Sequence, residues 1–232
     1  MEPAKCLSNP PWKKEVVDIL QKNLDKGHKG SLNFCFATVK TGSLPRPAVR
    51  TVVFRGFVGE SWGSEPPSQV SEGNCLARSS LFLVSTDALT AKVEELEQSK
   101  GAFEVCWWHA GTNQQIRFNG TAHLYSPRCN VGFPETYLRR YIHTDGNWRW
   151  EDERERIWKS HKPEMRGSFR NPHPGTPLDE EKKQKLRIVK LDGDDSGPDM
   201  DEAKSRFTLL VLEAKELEIL DLDSFPVSLS VS

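Results

Sequence analysis

No charge of one sign dominates this chain: 32 lysines and arginines stand against 33 aspartates and glutamates, a formal net charge of -1. A surface that tracks nucleic acid carries a basic excess, so no nucleic-acid partner is expected, and any bound phosphate is small and locally held. No apolar run approaches the ~20 residues needed to span a bilayer. The opening MEPAKCLSNPPWKK has no apolar h-region. Neither a membrane span nor a secretory signal is expected. Cys6, Cys35, Cys75, Cys106 and Cys129 form no CxxC and no Cys/His ligand spacing. Reduced thiols and a cytoplasmic location are the expectation. The six histidines are scattered without i, i+4 or strand-alternating pairs, so no metal is assigned. GxGxxG, GxxxxGK[ST], GxSxG and a Ser/His/Asp set are all missing. Nucleophilic catalysis therefore has no candidate, and any reactivity belongs to a bound cofactor.

What is present reads as a soluble globular protein: 232 residues, 36% hydrophobic and 28% charged, expected as a single domain over 1–232. WKKEVVDILQKNL places Val16, Val17, Ile19, Leu20 and Leu24 on one side at helical spacing, and Gly27 and Gly30 end that helix. SLNFCFATVKTG and RPAVRTVVFRGF predict two strands paired as a hairpin. A loop or insertion is expected at about 58–78, where Gly, Ser, Pro and Glu accumulate. SSLFLVST predicts an apolar strand. DALTAKVEELEQSKG predicts a helix with Asp87 as its N-cap and Gly101 as its end. AFEVCWWHA and QQIRFNGTAHLYS predict two more strands. A helical segment is expected at about 134–163 and an acidic, flexible loop at about 191–205. RFTLLVLEAKELEIL returns to a strand with apolar residues on both faces. Six strands, mostly joined as hairpins, predict a mostly β fold with helical insertions: a six-stranded antiparallel barrel.

Three stretches carry residues with chemical potential. Arg50 and Arg55 sit five apart on one strand, so they point to opposite faces. One suits a ligand anion; both also fit solvated edge charges. Ser85 to Lys92, STDALTAK, is a strand end, a turn and a helix start, which gathers backbone N–H groups and the hydroxyls of Thr86 and Thr90 beside Lys92. A plain helix cap fits as well. Gln115 begins a strand, where an amide suits a planar heterocycle. Of Trp107 and Trp108, strand alternation lets one line a pocket at most.

In this order, RTVVFRGF, STDALTAKVEEL and FEVCWWHAGTNQQIRFNGTAHL resemble the pyridoxamine 5'-phosphate oxidase-like flavoproteins, the FMN-binding split-barrel family. ERIWKSHKPEMRGSFRNPHPGTPL and FTLLVLEAKELEILDL are similar to the branch of fungi, plants and cyanobacteria. The resemblance spans about Trp12 to Leu222. It implies FMN at a homodimer interface, with Arg50 near the phosphate and Thr51, Val52 and Val53 along the ring. It implies that Arg55 points to cofactor or substrate, that Ser85, Thr86 and Thr90 contact FMN, that Lys92 holds the phosphate, and that Gln115 reaches the flavin. Arg55 and Arg166 would be the cations on the substrate side.

The implied reaction is oxidation of pyridoxamine or pyridoxine 5'-phosphate by dioxygen, giving pyridoxal 5'-phosphate and hydrogen peroxide. Two departures stand against it. Leu89 and Ala91 occupy positions where relatives carry an arginine, and DLDSFPVSLSVS lacks the closing tryptophan and arginines of the oxidases, as a shortened or alternatively spliced form would. The expected function is thus an FMN-dependent oxidoreductase acting on a small phosphorylated substrate. The alternative is a catalytically inactive split-barrel binding or interaction protein with weakened or lost FMN.

Overall fold

Two hydrophobic patterns set the architecture. Alternating strands build a barrel with one wet wall, and two uninterrupted apolar strands build a wall buried on both sides. The computed structural model describes residues 9–60, 77–129, 132–144, 146–173, 176–181, 183, 198–224 and 228–231.

Strands β1 (Asn33–Lys40), β2 (Arg46–Phe57), β4 (Phe82–Asp87), β5 (Ala102–His109), β6 (Gln114–Tyr125) and β8 (Phe207–Asp221) form the expected six-stranded antiparallel barrel. The order is β4-β2-β1-β5-β6-β8, and β8 closes the ring by pairing with β4. The hairpin runs from Asn33↔Val53 to Lys40↔Arg46. Strand β5 alternates strictly between exposed and buried residues, the period of a half-buried sheet. Trp107 is fully buried and Trp108 is 44% exposed. A ninth strand, β9 (Ser228–Val231), extends the sheet beside β8. The short β3 (Ala77–Ser79) and β7 (Ile142–Thr144) pair separately.

The barrel interior is aromatic. Phe34, Phe36, Phe54, Phe82, Trp107 and Phe118 share one buried cluster, with Phe82 stacked on Phe118 at 4.4 Å. Helix α1 (Pro11–Asp25) has proline at its first position, which suits a helix start. It lays Trp12, Val16, Ile19 and Leu20 onto that cluster. Asn23 ties α1 to the β5–β6 turn by donating to Thr112 Oγ1 and accepting from Gly111 N. Helix α2 (Ala91–Gln98) contributes Leu96 beside Phe103. It ends at Lys100 and Gly101, both at positive φ, with Gly101 N bonded to Leu96 O. Gly120 marks a register shift between β6 and β8. A Cβ there would lie 1.9 Å from Glu213 O, so no other residue fits without moving the strand.

The outer faces of β4 and β8 carry a second core: Leu83, Phe207, Leu209 and Val211 pack against Trp148, Trp150 and Trp158. These last two tryptophans belong to α4 (Trp150–Ser160). This explains why SSLFLVST and FTLLVL are apolar without alternation.

Three local expectations change. The helix after β4 begins with Thr90 as N-cap rather than Asp87; the Asp87 carboxylate instead accepts Leu89 N and is taken by Arg206. The segment at 134–163 is interrupted: α3 (Glu135–Leu138) gives way to a 3-10 turn and then to β7, which pairs with β3. Of the acidic stretch 191–205, residues 198–205 belong to a helix, α6 (Pro198–Arg206), whose Met200 and Ala203 are buried in the second core. Burial of two apolar side chains overrides the charged composition there. Residues 191–197, and 61–76 within the expected insertion, lie outside the described residues.

Candidate functional site

Strand parity divides β2 between two faces. Val52 and Phe54 point into the barrel, at 8% and 2% exposure, and Arg50 shares their side. Thr51, Val53 and Arg55 lie on the outer wall. The Val52 side chain is therefore committed to the core, and Val52 can line a ligand only with its backbone.

Arg50 is held tightly. Its Nη1 donates to Ala48 O at 3.1 Å and also to Thr38 Oγ1, while Nη2 pairs with the Glu95 carboxylate. Within the chain, the anion that this arginine faces is the protein's own. Thr38 also donates to the same Glu95 oxygen. These hydrogen bonds and the Arg50 charge hold Glu95 below the usual carboxylate range against the opposing effect of its burial.

A few residues along α2, the corner after β4 has a different character. Lys92 Nζ donates to Thr86 Oγ1 at 2.9 Å and to Thr90 Oγ1 at 3.0 Å. The two hydroxyls are 3.2 Å apart. Among the described residues no carboxylate lies within ion-pair distance of Lys92. Burial first, and the Arg50 charge second, bring its pKa down to about 8. Asp87 does not neutralise the lysine because Arg206, at 3% exposure, grips it from α6: Nη2 pairs with Oδ2 and Nε donates to Oδ1 at 3.2 Å. The corner thus presents an underneutralised cation and two hydroxyls, the donor set for a phosphate.

The outer wall holds a second cluster. Ser85 Oγ lies 2.8 Å from His161 Nε2, and His161 Nδ1 lies 2.6 Å from Ile157 O. A proton on Nδ1 satisfies that carbonyl and leaves Nε2 to accept from Ser85. Burial, then the charges of Arg55 and Arg166, hold the imidazole neutral, with a pKa of about 4. Arg55 Nε is buried and has no hydrogen-bond partner among the described residues. Burial lowers the guanidinium's proton affinity. Arg166, on α5 (Pro163–Ser168), also lies over the Trp158 ring at 6.0 Å. The structure therefore brings Arg55, Ser85 and Arg166 together around His161.

Gln115 stands apart. It pairs with Trp108 across β5 and β6, on the outer wall but three strands from β2, a separation of about 14 Å. Glu95, Thr38, His161 and Arg206 were not singled out by the sequence. Only the Ile157–His161 spacing of four, across the end of α4, offered a local hint.

Comparison with known proteins assigns the chain to a family. The family model described as "Pyridoxamine 5'-phosphate oxidase, FMN-binding domain" matches residues 9–126. Pyridoxine/pyridoxamine 5'-phosphate oxidase 2 of Arabidopsis thaliana is 29% identical over 213 residues, covering 91% of this chain and 83% of that protein. Among solved structures, a pyridoxamine 5'-phosphate oxidase-related, FMN-binding protein of Nostoc punctiforme superposes with a TM-score of 0.65 at 21% identity, over the whole of both chains. PhzG of Burkholderia lata, solved with tetrahydrophenazine-1-carboxylic acid, gives 0.56 at 15% identity, covering 99% of this chain and 86% of that one. These two likenesses concern the fold, an FMN-binding split barrel. The matched region takes in β2, the Lys92 corner and Gln115, and on that match the chain belongs to the pyridoxamine 5'-phosphate oxidase family.

Proposed function

We propose that this chain binds FMN and is a flavin-dependent oxidoreductase acting on a small phosphorylated substrate, with pyridoxamine or pyridoxine 5'-phosphate as the first to test. The observation that carries the reading is Lys92: a largely buried ammonium with two hydroxyl partners and no paired carboxylate among the described residues. Such a cation is costly unless an anion reaches it. Lys92, Thr86 and Thr90 would hold the flavin phosphate. Arg50 would add to the positive field behind them. The backbone of Thr51, Val52 and Val53, with Ser85, would run along the ring.

When bound, the flavin would supply two-electron redox chemistry, and the chain's own residues would orient and exclude water. Arg55 and Arg166 would receive the anionic group of the substrate, beside a His161 that stays neutral and so does not repel a proton held nearby. Gln115 would join a flavin only from a second copy of the chain. A homodimer through the outer wall of β1, β2 and β5 fits that separation. That wall exposes Val49 and Trp108 along with Cys35 and Cys106.

A second reading, a flavin-binding or interaction protein without this activity, is favoured by one observation: the charge of Arg50 is already taken by Glu95. Visible absorbance of freshly purified protein, with identification of any flavin released on denaturation, separates flavin binding from its loss. Peroxide release with pyridoxine 5'-phosphate separates oxidase from binder. Lys92→Glu is expected to lose FMN while keeping its fold by circular dichroism. Protein that stays colourless in excess FMN, or a Lys92→Glu variant with full FMN content, would overturn the reading.

A further inference from the structure

The Arg50 contact bears on how tightly the corner holds a phosphate, and the inference rests on reading the Thr86–Thr90–Lys92 corner as the phosphate site. Glu95 lies on α2 one turn beyond Lys92. Its side chain is 6% exposed. One oxygen, Oε2, accepts from both Arg50 and Thr38. The other, Oε1, is buried without a hydrogen-bond partner among the described residues. Lys40 Nζ lies 3.9 Å from Oε1, on a side chain that is 44% exposed. The Glu95 charge also acts on Lys92. Arg50 and Lys92 together supply two positive charges, and Glu95 cancels one. A phosphate monoester near neutral pH carries close to two negative charges. An incoming phosphate therefore meets half of the net positive charge that the two cations would otherwise offer.

We infer that Glu95 is an internal counter-anion of the phosphate corner, a residue that sets affinity by competing with the ligand's phosphate for Arg50. The competition concerns the phosphate alone, so it discriminates between flavins. FMN feels it and riboflavin, which carries the same ring without the phosphate, does not. Glutamine at this position keeps an oxygen for Arg50 and Thr38, places an amide where Oε1 is unpartnered, and removes the charge.

The test is a fluorescence titration of flavin-stripped protein with FMN and, separately, with riboflavin. Glu95→Gln is expected to bind FMN at least about tenfold more tightly, with riboflavin affinity unchanged. FMN binding that is unchanged or weaker in Glu95→Gln, with riboflavin still bound, overturns the counter-anion and leaves the flavin reading standing. If neither flavin binds either protein, the flavin site itself is wrong and the inference falls with it. Lys40→Met supplies a second variant whose exposed position leaves the core untouched. Removing this cation strengthens the carboxylate's repulsion, so FMN affinity is expected to fall several-fold, and riboflavin affinity to hold. An unaltered FMN affinity in Lys40→Met counts against the competition even if Glu95→Gln does not fold.

Discussion

At the scale of single residues, the Thr86–Thr90–Lys92 corner stores unfavourable free energy in the ligand-free protein. Lys92 has a folded pKa near 8, below its ordinary 10.5, because burial penalises the charged form. The unfolded chain holds this proton more tightly than the folded one. Stability is therefore lowest in this respect below pH 8, and it recovers as pH rises from about 8 towards 10.5. The depression corresponds to roughly 3 kcal/mol at neutral pH. Lys92→Met is expected to stabilise the flavin-free protein by about 1–3 kcal/mol at pH 7, and by little at pH 10. Urea unfolding at the two pH values checks this, and a variant less stable at pH 7 would contradict it. FMN would recover that cost on binding, so the site exchanges stability for affinity. Of these residues, Lys92, Thr86 and Thr90 were legible because they crowd one short turn. Glu95 looked like any acid in VEELEQ; its partner Arg50 is 45 positions away, and no local pattern joins them.

At the scale of elements, the strands were the most legible part of the molecule. β2 runs from Arg46 to Phe57, as the β-branched and aromatic run RPAVRTVVFRGF predicts. The two-faced apolar pattern of Phe207 to Leu212 announced a strand covered on both sides. The start of α2 was less legible. Asp87 has the chemistry of an N-cap, but Arg206, 119 residues later, claims its carboxylate and the helix begins at Ala91. The same arginine donates to Asn171 O at 2.7 Å, so one buried guanidinium ties α6, β4 and the segment after α5 together. Removing one partner of such a pair leaves the other charge stranded. Arg206→Met is expected to destabilise by about 3–5 kcal/mol. Adding Asp87→Asn should restore part of that loss. Chemical denaturation of the single and double variants measures both, and a loss below ~1 kcal/mol in the single variant would mean that the clamp matters little.

At the scale of the whole molecule, the barrel has one wet wall and one covered wall. The covered wall holds the tryptophans of α4, while the wet wall bears Trp108 and Val49. An exposed tryptophan and an exposed valine on one face of a rigid sheet suit self-association. On the proposed dimer, Trp108→Glu is expected to sediment as a monomer where the unaltered protein sediments as a dimer at micromolar concentration, and to carry less FMN. A variant that sediments as the unaltered protein does would place the interface elsewhere. The sequence could not locate this wall by composition, because Trp107 and Trp108 are adjacent and identical in type; only the alternation of β5, fixed by its pairing register, decides which one faces water.

The ring is sealed by β8, which bonds to β6 along one side and to β4 along the other. That strand begins at Phe207, 81 positions after residue 126, where the family match ends. During synthesis on the ribosome, the N-terminal half must therefore emerge with two unsatisfied sheet edges and wait for its closing stave. The nascent chain would need shelter for that interval, and a stop codon placed before Phe207 would yield a sticky polypeptide instead of a smaller closed barrel.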